Sequence, residues 1–358
     1  MGVYEKRYER LRAYMKEADL DAVYITATEN YRYFSGFNNP DGFMIVTADG
    51  ADVFADFRYF EAAKAKCYPC CRVIEQKRGC TAEWFGTAGV SRVGFENMDL
   101  SVYGFDSLKK ITDEVKAELF PVDATLTGIR AVKEREEVDL IIRAQRIAER
   151  ALDHVLKIIK YDMTELEVAA ELEYYMKKYG SVTPSFETIA VSGSASSLPH
   201  GVPRPVKLER GFLTMDFGAT AEEYHSDMTR TVVIGKADDE MKRLYNTVLE
   251  AQNAAHAFIK AGVTGEEADK SARDIINAAG YEGCFGHSLG HGVGLEIHEL
   301  PNLSPRIEGI KLVPGNVVTN EPGIYIEGKY GCRIEDMIYI GEDGPENLTE
   351  APKELIEI

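Results

Sequence analysis

Residues 213–218 have the sequence LTMDFG, and residues 224–234 have the sequence YHSDMTRTVVI. Apolar and β-branched residues dominate both stretches, which predicts the two strands of a hairpin. Asp216 and Asp227 lie in these stretches, eleven positions apart. An aspartate in a buried strand is costly unless another group compensates its charge. Two such aspartates flanking one hairpin therefore indicate a candidate pair of ligands.

A second predicted hairpin repeats this arrangement. Residues 317–326 have the sequence VVTNEPGIYI, and residues 331–340 have the sequence GCRIEDMIYI. Both stretches again alternate strand-forming residues around a turn. Glu321 and Glu335 lie fourteen positions apart in these apolar surroundings. Each predicted hairpin thus contributes two carboxylates.

The same region contains an internal repeat with an offset of 100 residues. Residues 159–180 and residues 259–280 share the pattern Ile-Lys-x-x-x-Thr-x-x-Glu and both end in glycine. A Thr-x-x-Glu box typically begins a helix, and a glycine typically ends one. The repeat predicts two similar half-domains, each with one of the two hairpins.

A glycine-rich segment, residues 285–299 (FGHSLGHGVGLEIHE), lies between the two predicted hairpins. His287 and His291 have the i, i+4 spacing of a zinc-binding helix, but that motif requires glutamate where Ser288 stands. Four glycines in the segment also disfavour a helix and favour extended backbone that another group can approach closely. His291 is the candidate ligand of this segment.

Four carboxylates and one histidine in a single pocket require cations, because the carboxylates would otherwise repel one another. Two divalent ions would balance the four negative charges. An oxygen-rich set with one imidazole favours Mn²⁺, with Co²⁺, Fe²⁺ and Zn²⁺ as alternatives. Such a pair of ions lowers the pKa of a bound water and polarises a scissile carbonyl.

The rest of the chain indicates a second domain. A length of 358 residues favours two domains. The first 120 or so residues alternate predicted strands and helices, the last of them a helix over residues 101–119. We expect an N-terminal α/β domain over residues 1–125 and a catalytic domain over residues 126–358, divided at a turn-rich stretch. The net charge of −18 argues against nucleic acid or anionic membranes as partners.

Several features favour a cytoplasmic protein. No apolar run approaches the length that spans a bilayer, and the N-terminus has no apolar signal region. The pair Cys67-x-x-Cys70 allows zinc binding or redox activity, but no second ligand pair lies at a suitable spacing. Reduced thiols are therefore the preferred interpretation of the six cysteines.

Taken together, these residues resemble the pita-bread (M24-type) metallopeptidases, which include methionine aminopeptidases, aminopeptidase P and prolidase. The resemblance spans residues 128–350 approximately and rests on Asp216, Asp227, the segment around His291, and two further motifs. These motifs are Glu321-Pro322-Gly323-Ile324-Tyr325 and Arg333-Ile334-Glu335-Asp336. It implies an α/β (α+β) fold: a creatinase-like N-terminal domain followed by a pita-bread domain with two pseudo-symmetric halves.

The resemblance also implies a role for each ligand. Asp216 would chelate one metal ion, and His291 and Glu321 would bind the other. Asp227 and Glu335 would bridge both ions. Glu321 would in addition carry a proton from the attacking water towards the leaving amine.

The N-terminal domain and three further histidines are similar to the proline-specific branch of this family. In that branch His287 and His298 would bind the substrate and stabilise the oxyanion. His200 would position the peptide on the prolyl side. Arg333 would orient one of the ligand carboxylates.

The expected activity is that of an Xaa-Pro aminopeptidase, which cleaves the bond before proline through a metal-bridging hydroxide. A prolidase, which accepts only Xaa-Pro dipeptides, is the close alternative. A methionine aminopeptidase is less favoured, because many of those lack the N-terminal domain. A non-catalytic peptide-binding module on the same fold is a further alternative, but such relatives lack some of the five ligands. The resemblance also implies peptides with proline at the second position as substrates and a homodimer as the assembly.

Overall fold

Residues 3–358 are described by the computed structural model, and their contacts divide the chain after Arg130 into two units. Helix α6 (Asp123–Ala131) contains this division. It also contains the boundary predicted between residues 125 and 126, which stays a prediction. None of the helices formed by residues 3–358 combines the length and the apolar character that crossing a membrane would require.

The first unit is built on a six-stranded sheet. Its strands are β1 (Ala22–Ile25), β2 (Phe43–Thr47), β3 (Ala51–Ala55), β4 (Cys71–Glu75), β5 (Arg92–Phe95) and β6 (Glu118–Pro121). The strand order is β4-β3-β2-β1-β5-β6, and only β2 runs antiparallel to its neighbours. Its helices are α1 (Val3–Glu17), α2 (Thr28–Ser35), α3 (Phe60–Lys66), α4 (Cys80–Ala88) and α5 (Val102–Glu114). The predicted α/β pattern is confirmed.

The second unit contains two pairs of helices and a larger set of strands. The helices are α7 (Arg135–Ile158), α8 (Glu165–Lys178), α9 (Asp239–Phe258) and α10 (Gly265–Ile276), with a 3₁₀ turn at Gly193–Ser197 and a π turn at Asn277–Tyr281. The strands of its first half are β7 (Ile189–Ser192), β8 (Gly211–Phe217), β9 (Thr220–Ala221), β10 (Tyr224–His225) and β11 (Met228–Ile234). Those of its second half are β12 (Gly290–Gly292), β13 (Glu299–Leu303), β14 (Val317–Asn320), β15 (Gly323–Ile326), β16 (Tyr330–Arg333), β17 (Asp336–Gly341) and β18 (Gly344–Asn347).

The pseudo-symmetry of the two halves is confirmed. Thr164 and Thr264 each begin a helix through the predicted capping box, α8 in the first half and α10 in the second. Gly180 and Gly280 adopt positive φ angles of 116° and 92° at the ends of these copies, a conformation that favours glycine. Each half has its own apolar core beneath its helix pair.

Both predicted hairpins are present, but the second is divided between two sheets. Strands β8 and β11 pair without interruption over seven residues each. In the second half, β14 pairs with β17 and β15 pairs with β16. The hairpin is interrupted at residues 321–322, between β14 and β15, and at residues 334–335, between β16 and β17. The two glutamates of this hairpin occupy these interruptions.

No part of the glycine-rich segment is helical, as predicted, and its residues 290–292 form strand β12. The reason is close approach between neighbouring strands. A Cβ atom on Gly290 would clash with the carbonyl oxygen of Thr319, and one on Gly292 would clash with that of Leu300. The glycines therefore allow β12 to lie tightly between β13 and β14, with His291 fixed between them.

Candidate active site

The two hairpins bring their four carboxylates to one cavity of about 490 Å³. Asp216 is the last residue but one of β8 and pairs with Thr229, while Asp227 directly precedes β11. Glu321 and Glu335 occupy the interruptions of the second hairpin. Side chains at such interruptions are released from the strict alternation of a strand. All four carboxylates line the cavity.

The carboxylates and His291 form one compact cluster. Ligand atoms of Asp216, Asp227 and Glu335 all lie within 4.8 Å of one another. His291 Nε2 lies 3.6 Å from Asp227 Oδ2 and 3.3 Å from Glu321 Oε1. Asp227 and Glu335 are buried, with exposed fractions of 5% and 1%. Within residues 3–358, one group of three or more acidic, histidine or cysteine side chains is close enough to share an ion. It consists of Asp216, Asp227 and Glu335.

Burial and mutual repulsion govern the protonation of three of these groups when no cation is present. Burial raises the pKa of Asp227 well above its ordinary value, and the charge of Asp216 raises it further. The pKa of Glu335 is raised in the same way, by burial and then by Asp227. Burial also raises the pKa of Asp216, although Arg333 opposes this effect. A cation-free cluster therefore keeps protons that a bound metal ion would displace.

His291 and Glu321 behave as an ion pair in the same state. Burial alone would lower the pKa of His291, but the hydrogen bond and charge of Glu321 outweigh it and raise the pKa to about 9. Burial alone would raise the pKa of Glu321, but His291 lowers it to about 2. His291 Nδ1 lies 3.1 Å from the carbonyl oxygen of Gly292 and donates to it. This bond directs Nε2 towards the carboxylates.

An unsatisfied oxygen indicates that the cluster is built to hold a cation. Arg333 Nη2 donates to Asp216 Oδ2 at 2.6 Å, whereas the buried Oδ1 accepts no hydrogen bond from any described residue. A buried carboxylate oxygen without a partner is costly unless an ion binds it. Four carboxylates and one imidazole Nε2 also form a donor set suited to hard or borderline divalent cations.

A hydrogen-bonded chain connects Arg333 to His287. Arg333 Nη1 donates to the hydroxyl of Tyr325 at 2.6 Å, and this hydroxyl lies 3.0 Å from His287 Nε2. His287 Nδ1 lies 2.9 Å from the carbonyl oxygen of Ser288 and must donate to it. Nε2 then accepts from Tyr325. Both ring nitrogens of His287 are therefore engaged within the protein.

The other two cavity histidines are differently placed. His200 and His298 line the cavity and are exposed to it, and neither ring forms a hydrogen bond with another described residue. The ring of His298 lies 4.3 Å from that of His291 between centroids. Burial lowers the pKa of His298, and the charge of His291 lowers it further. His298 is therefore neutral at neutral pH and can donate one N–H to a ligand.

The structure brings together every site residue predicted from the sequence. All nine of these predicted residues are among those that line the cavity: Asp216, Asp227, His291, Glu321, Glu335, His200, His287, His298 and Arg333. Sequence reasoning missed two hydroxyl groups. Thr229 accepts from Arg333 Nε at 2.9 Å and donates to Glu335 at 2.7 Å, and Tyr325 links Arg333 to His287. Tyr325 lies inside a motif already singled out, but its partner is visible only in three dimensions.

Comparison with known proteins agrees with this geometry. Residues 139–342 match metallopeptidase family M24, and residues 7–132 match the creatinase/prolidase N-terminal domain. The chain therefore belongs to metallopeptidase family M24. It is a metallopeptidase, and its family implies that it uses divalent metal ions.

Named relatives cover nearly the whole chain. The Xaa-Pro dipeptidase of Pyrococcus furiosus is 39% identical over 98% of this chain and 100% of its own length. An Xaa-Pro dipeptidase structure from Bacillus anthracis has a TM-score of 0.94 at 39% identity, covering 99% of this chain and 100% of that one. An X-Pro aminopeptidase structure from Thermotoga maritima has a TM-score of 0.90 at 36% identity, covering 98% and 100%.

Proposed function

We propose that this chain hydrolyses the peptide bond before proline in Xaa-Pro dipeptides, as an Xaa-Pro dipeptidase (prolidase). The observation that carries the proposal is the gathering of Asp216, Asp227, His291, Glu321 and Glu335 in one cavity. End-to-end similarity to two Xaa-Pro dipeptidases supports the substrate class. The cavity volume of about 490 Å³ lies within the range of small-molecule sites.

The five cluster residues would hold two divalent ions, in the arrangement that the family resemblance implies. Asp216 would bind one ion, His291 and Glu321 the other, and Asp227 and Glu335 both. The oxygen-rich donor set favours Mn²⁺. When bound, such ions supply a water of lowered pKa and polarise a carbonyl.

The chain's own residues would manage the proton. Glu321 would be a carboxylate whenever metal ions are bound, because metal ligands must be deprotonated, and in that form it would accept a proton from the attacking water. Thr319 donates to Glu321 Oε1 at 3.1 Å and thereby fixes the carboxylate. Passing this proton to the proline nitrogen would complete the cleavage, because an amide nitrogen leaves only when protonated.

His200 and His298 would bind the substrate, because their ring nitrogens have no partner within the described chain. His298 lies beside His291 and is placed to donate to a developing oxyanion. His200, which lines the same cavity, would contact the prolyl side. His287 would act through Tyr325 and Arg333, since both of its nitrogens are already bonded.

An Xaa-Pro aminopeptidase is the second candidate, and one observation favours it. Of the residues lining the cavity, Arg333 is the one arginine or lysine, and it is committed to Asp216, Thr229, Tyr325 and the carbonyl oxygen of Pro199. A dipeptidase benefits from a free cation that binds the substrate carboxylate. His200 and His298 would have to serve instead, whereas a longer peptide needs no such group.

We also propose a cytoplasmic homodimer. All six cysteines lie within the described residues and are free thiols, which supports a reducing compartment. The dimer rests on the family resemblance. Light scattering after size-exclusion chromatography would give twice the chain mass of 39.8 kDa if this is correct.

The proposed activity is tested by comparing Met-Pro with Met-Pro-Ala, with Mn²⁺ and with chelator. A dipeptidase cleaves Met-Pro alone, whereas an aminopeptidase also cleaves the tripeptide at the Met-Pro bond. Met-Ala serves as the control for proline specificity. Cleavage of Met-Ala at the rate of Met-Pro would contradict both forms of the proposal.

A further inference from the structure

The buried carboxylate of Glu165 closes the loop that carries His200. Its Oε1 accepts from the backbone N–H and the hydroxyl of Ser192, at 2.7 and 2.9 Å. Its Oε2 accepts from the backbone N–H and Nε of Arg204, at 3.0 and 2.9 Å, while Arg204 Nη2 donates to Oε1 at 2.7 Å. One carboxylate thus holds both ends of residues 193–203, which include His200.

The buried position of the Glu165 carboxylate is not explained by capping of helix α8. Glu165 is the first residue of α8, but Thr164 and Glu167 already form the capping box of that helix. The Glu165 side chain is completely buried. Burying a charge is unfavourable unless its partners are well placed. The side chain therefore serves the loop that it binds.

A second carboxylate–arginine pair closes the loop that carries His287. On α10, Arg273 Nε and Nη2 donate to the buried Asp269 at 2.6 and 2.8 Å. Arg273 also donates to the carbonyl oxygens of Phe285 and His287, at 2.6 and 2.7 Å. Asp269 Oδ1 accepts from the N–H of Leu289 at 2.9 Å. Residues 285–289 are thereby held on both sides of His287.

The two pairs do not occupy matching positions of the internal repeat. With the offset of 100 residues, Glu165 corresponds to Gly265 and Asp269 corresponds to Ala169. A side chain at Gly265 would clash with the carbonyl oxygen of Asn302, so a glutamate cannot stand there. The two halves hold their histidine loops by the same means from different helix positions.

We propose that Glu165–Arg204 and Asp269–Arg273 are positioning pairs that set His200 and His287, respectively, in the active cavity. The effects that we expect on substrate binding and turnover rest on the proposed function. Through His200 the first pair would govern substrate binding. Through His287 and its chain to Tyr325 and Arg333, the second pair would govern turnover.

The first pair is tested by Arg204→Gln with Met-Pro as the substrate. We expect KM to rise about tenfold while kcat stays within about threefold, as for outer residues that orient a binding group. Arg204→Lys keeps the positive charge but loses the planar guanidinium that binds both carboxylate oxygens. It should give an intermediate KM. Arg143→Gln is the control, because Arg143 forms only an exposed pair with Glu222 in the described structure.

A double-mutant cycle separates positioning from a general structural role. If Arg204 acts through His200, Arg204→Gln should change KM less than about twofold in a His200→Ala background. Independent, additive effects of the two substitutions would overturn the assignment for this pair.

The second pair is tested by Arg273→Gln, with Lys270→Gln as a control on the same helix. Lys270 forms the analogous but exposed i, i+4 pair with Asp274. Arg273→Gln should lower kcat about tenfold with little change in KM, and Lys270→Gln should change neither. A rise in KM with unchanged kcat would overturn the assignment of this pair to turnover.

Hydrogen exchange distinguishes failure of this inference from failure of the proposed function. Arg204→Gln should increase exchange within residues 193–203, and Arg273→Gln within residues 285–289, while β8 and β11 remain protected. This result is expected even if the wild type cleaves no Xaa-Pro peptide, in which case only the proposed function fails. Unchanged or uniformly increased exchange would contradict the positioning pairs.

Discussion

At the residue scale, His291 and Glu321 form an ion pair that a metal ion would have to break in order to bind both side chains. Without cations the pKa values of His291, Asp227 and Glu335 are all raised, so these groups keep their protons to a higher pH than they would in water. Metal ligands must be deprotonated. The same side chains therefore bind protons when cations are absent and would bind metal ions when cations are present.

This exchange predicts that metal binding depends on pH. Raising the pH towards 9 removes the protons that compete with the metal, so the affinity of the chelator-treated enzyme for Mn²⁺ should rise. One displaced proton gives about a tenfold increase per pH unit. Calorimetry at pH 7 in buffers of different ionisation enthalpy should show release of at least about one proton. Binding without proton release would contradict the raised pKa values.

Glu335→Gln tests the candidate bridging carboxylate with little change of shape. The substitution removes one negative charge from the cluster but keeps an oxygen that can accept from Thr229. We expect activity to fall by more than about a hundredfold. This is more than the loss typical of residues that hydrogen-bond to a metal ligand without binding the metal themselves. Bound metal should also decrease, measured by mass spectrometry of the protein-bound metal. Wild-type turnover by a variant with an unchanged circular dichroism spectrum would exclude the proposed role.

Sequence reasoning identified the candidate ligands because each has an unusual local context. Asp216 and Glu335 are charged residues within apolar stretches of sequence, and His291 lies among glycines. Thr229 and Tyr325 lack such a signal, because a threonine or tyrosine in a strand is ordinary. Their importance comes from partners 104 and 8 positions away in the sequence.

At the element scale, close strand packing fixes His291. Gly292→Ala would place a Cβ against the carbonyl oxygen of Leu300 and push β12 away from β13. We expect metal affinity to fall at least about tenfold, because His291 moves with β12. Gly286→Ala is the matched control, since its Cβ would meet open space in the same segment. Equal metal affinity in both variants, measured by calorimetry, would contradict this explanation of the glycines.

Helix α2 (Thr28–Ser35) shows why some elements could not be predicted. Its sequence, TENYRYFS, is rich in aromatic residues and has little helical character of its own. Glu96, about 70 positions away, accepts from the backbone N–H groups of Thr26 and Ala27, at 2.5 and 2.7 Å. It also accepts from the side chain of Asn30. A helix start stabilised by so distant a carboxylate is invisible to local patterns.

At α5, in contrast, the helix predicted from the sequence is longer than the helix observed. The sequence predicts one helix over residues 101–119, but the helix ends at Glu114 and β6 begins at Glu118. Lys116 has a positive φ of 61° between them, which ends the helix without a glycine. Pairing of β6 with β5 outweighs the helical pattern of these residues. Capping boxes and glycine-terminated helices were, in contrast, predicted correctly.

At the scale of the whole molecule, metal ions should stabilise the second unit. Its two halves meet at the carboxylate cluster, and cations binding only the folded state raise its stability. We expect chelator to lower the midpoint of thermal unfolding by several degrees, and Mn²⁺ to restore it. Glu335→Gln should show a smaller shift. A midpoint that is equal with metal and with chelator would contradict metal-linked stability.

The fold itself was predictable because several independent patterns agree. Alternating strands and helices indicated the first unit, and the internal repeat indicated the two halves of the second. The division of the second hairpin between two sheets was not predictable, because Glu321 and Glu335 interrupt strands whose sequences are otherwise continuous. These interruptions are also where the proposed ligands lie, in keeping with local irregularity at functional sites.

The most direct measurement is a titration of the chelator-treated enzyme with Mn²⁺, following bound metal and Met-Pro hydrolysis together. If the five clustered side chains form a dinuclear hydrolytic site, activity should be absent without metal. It should rise as up to two equivalents bind and then stay constant, and Glu335→Gln should show no such rise. Hydrolysis of Met-Pro at the full rate by metal-free enzyme would contradict the account.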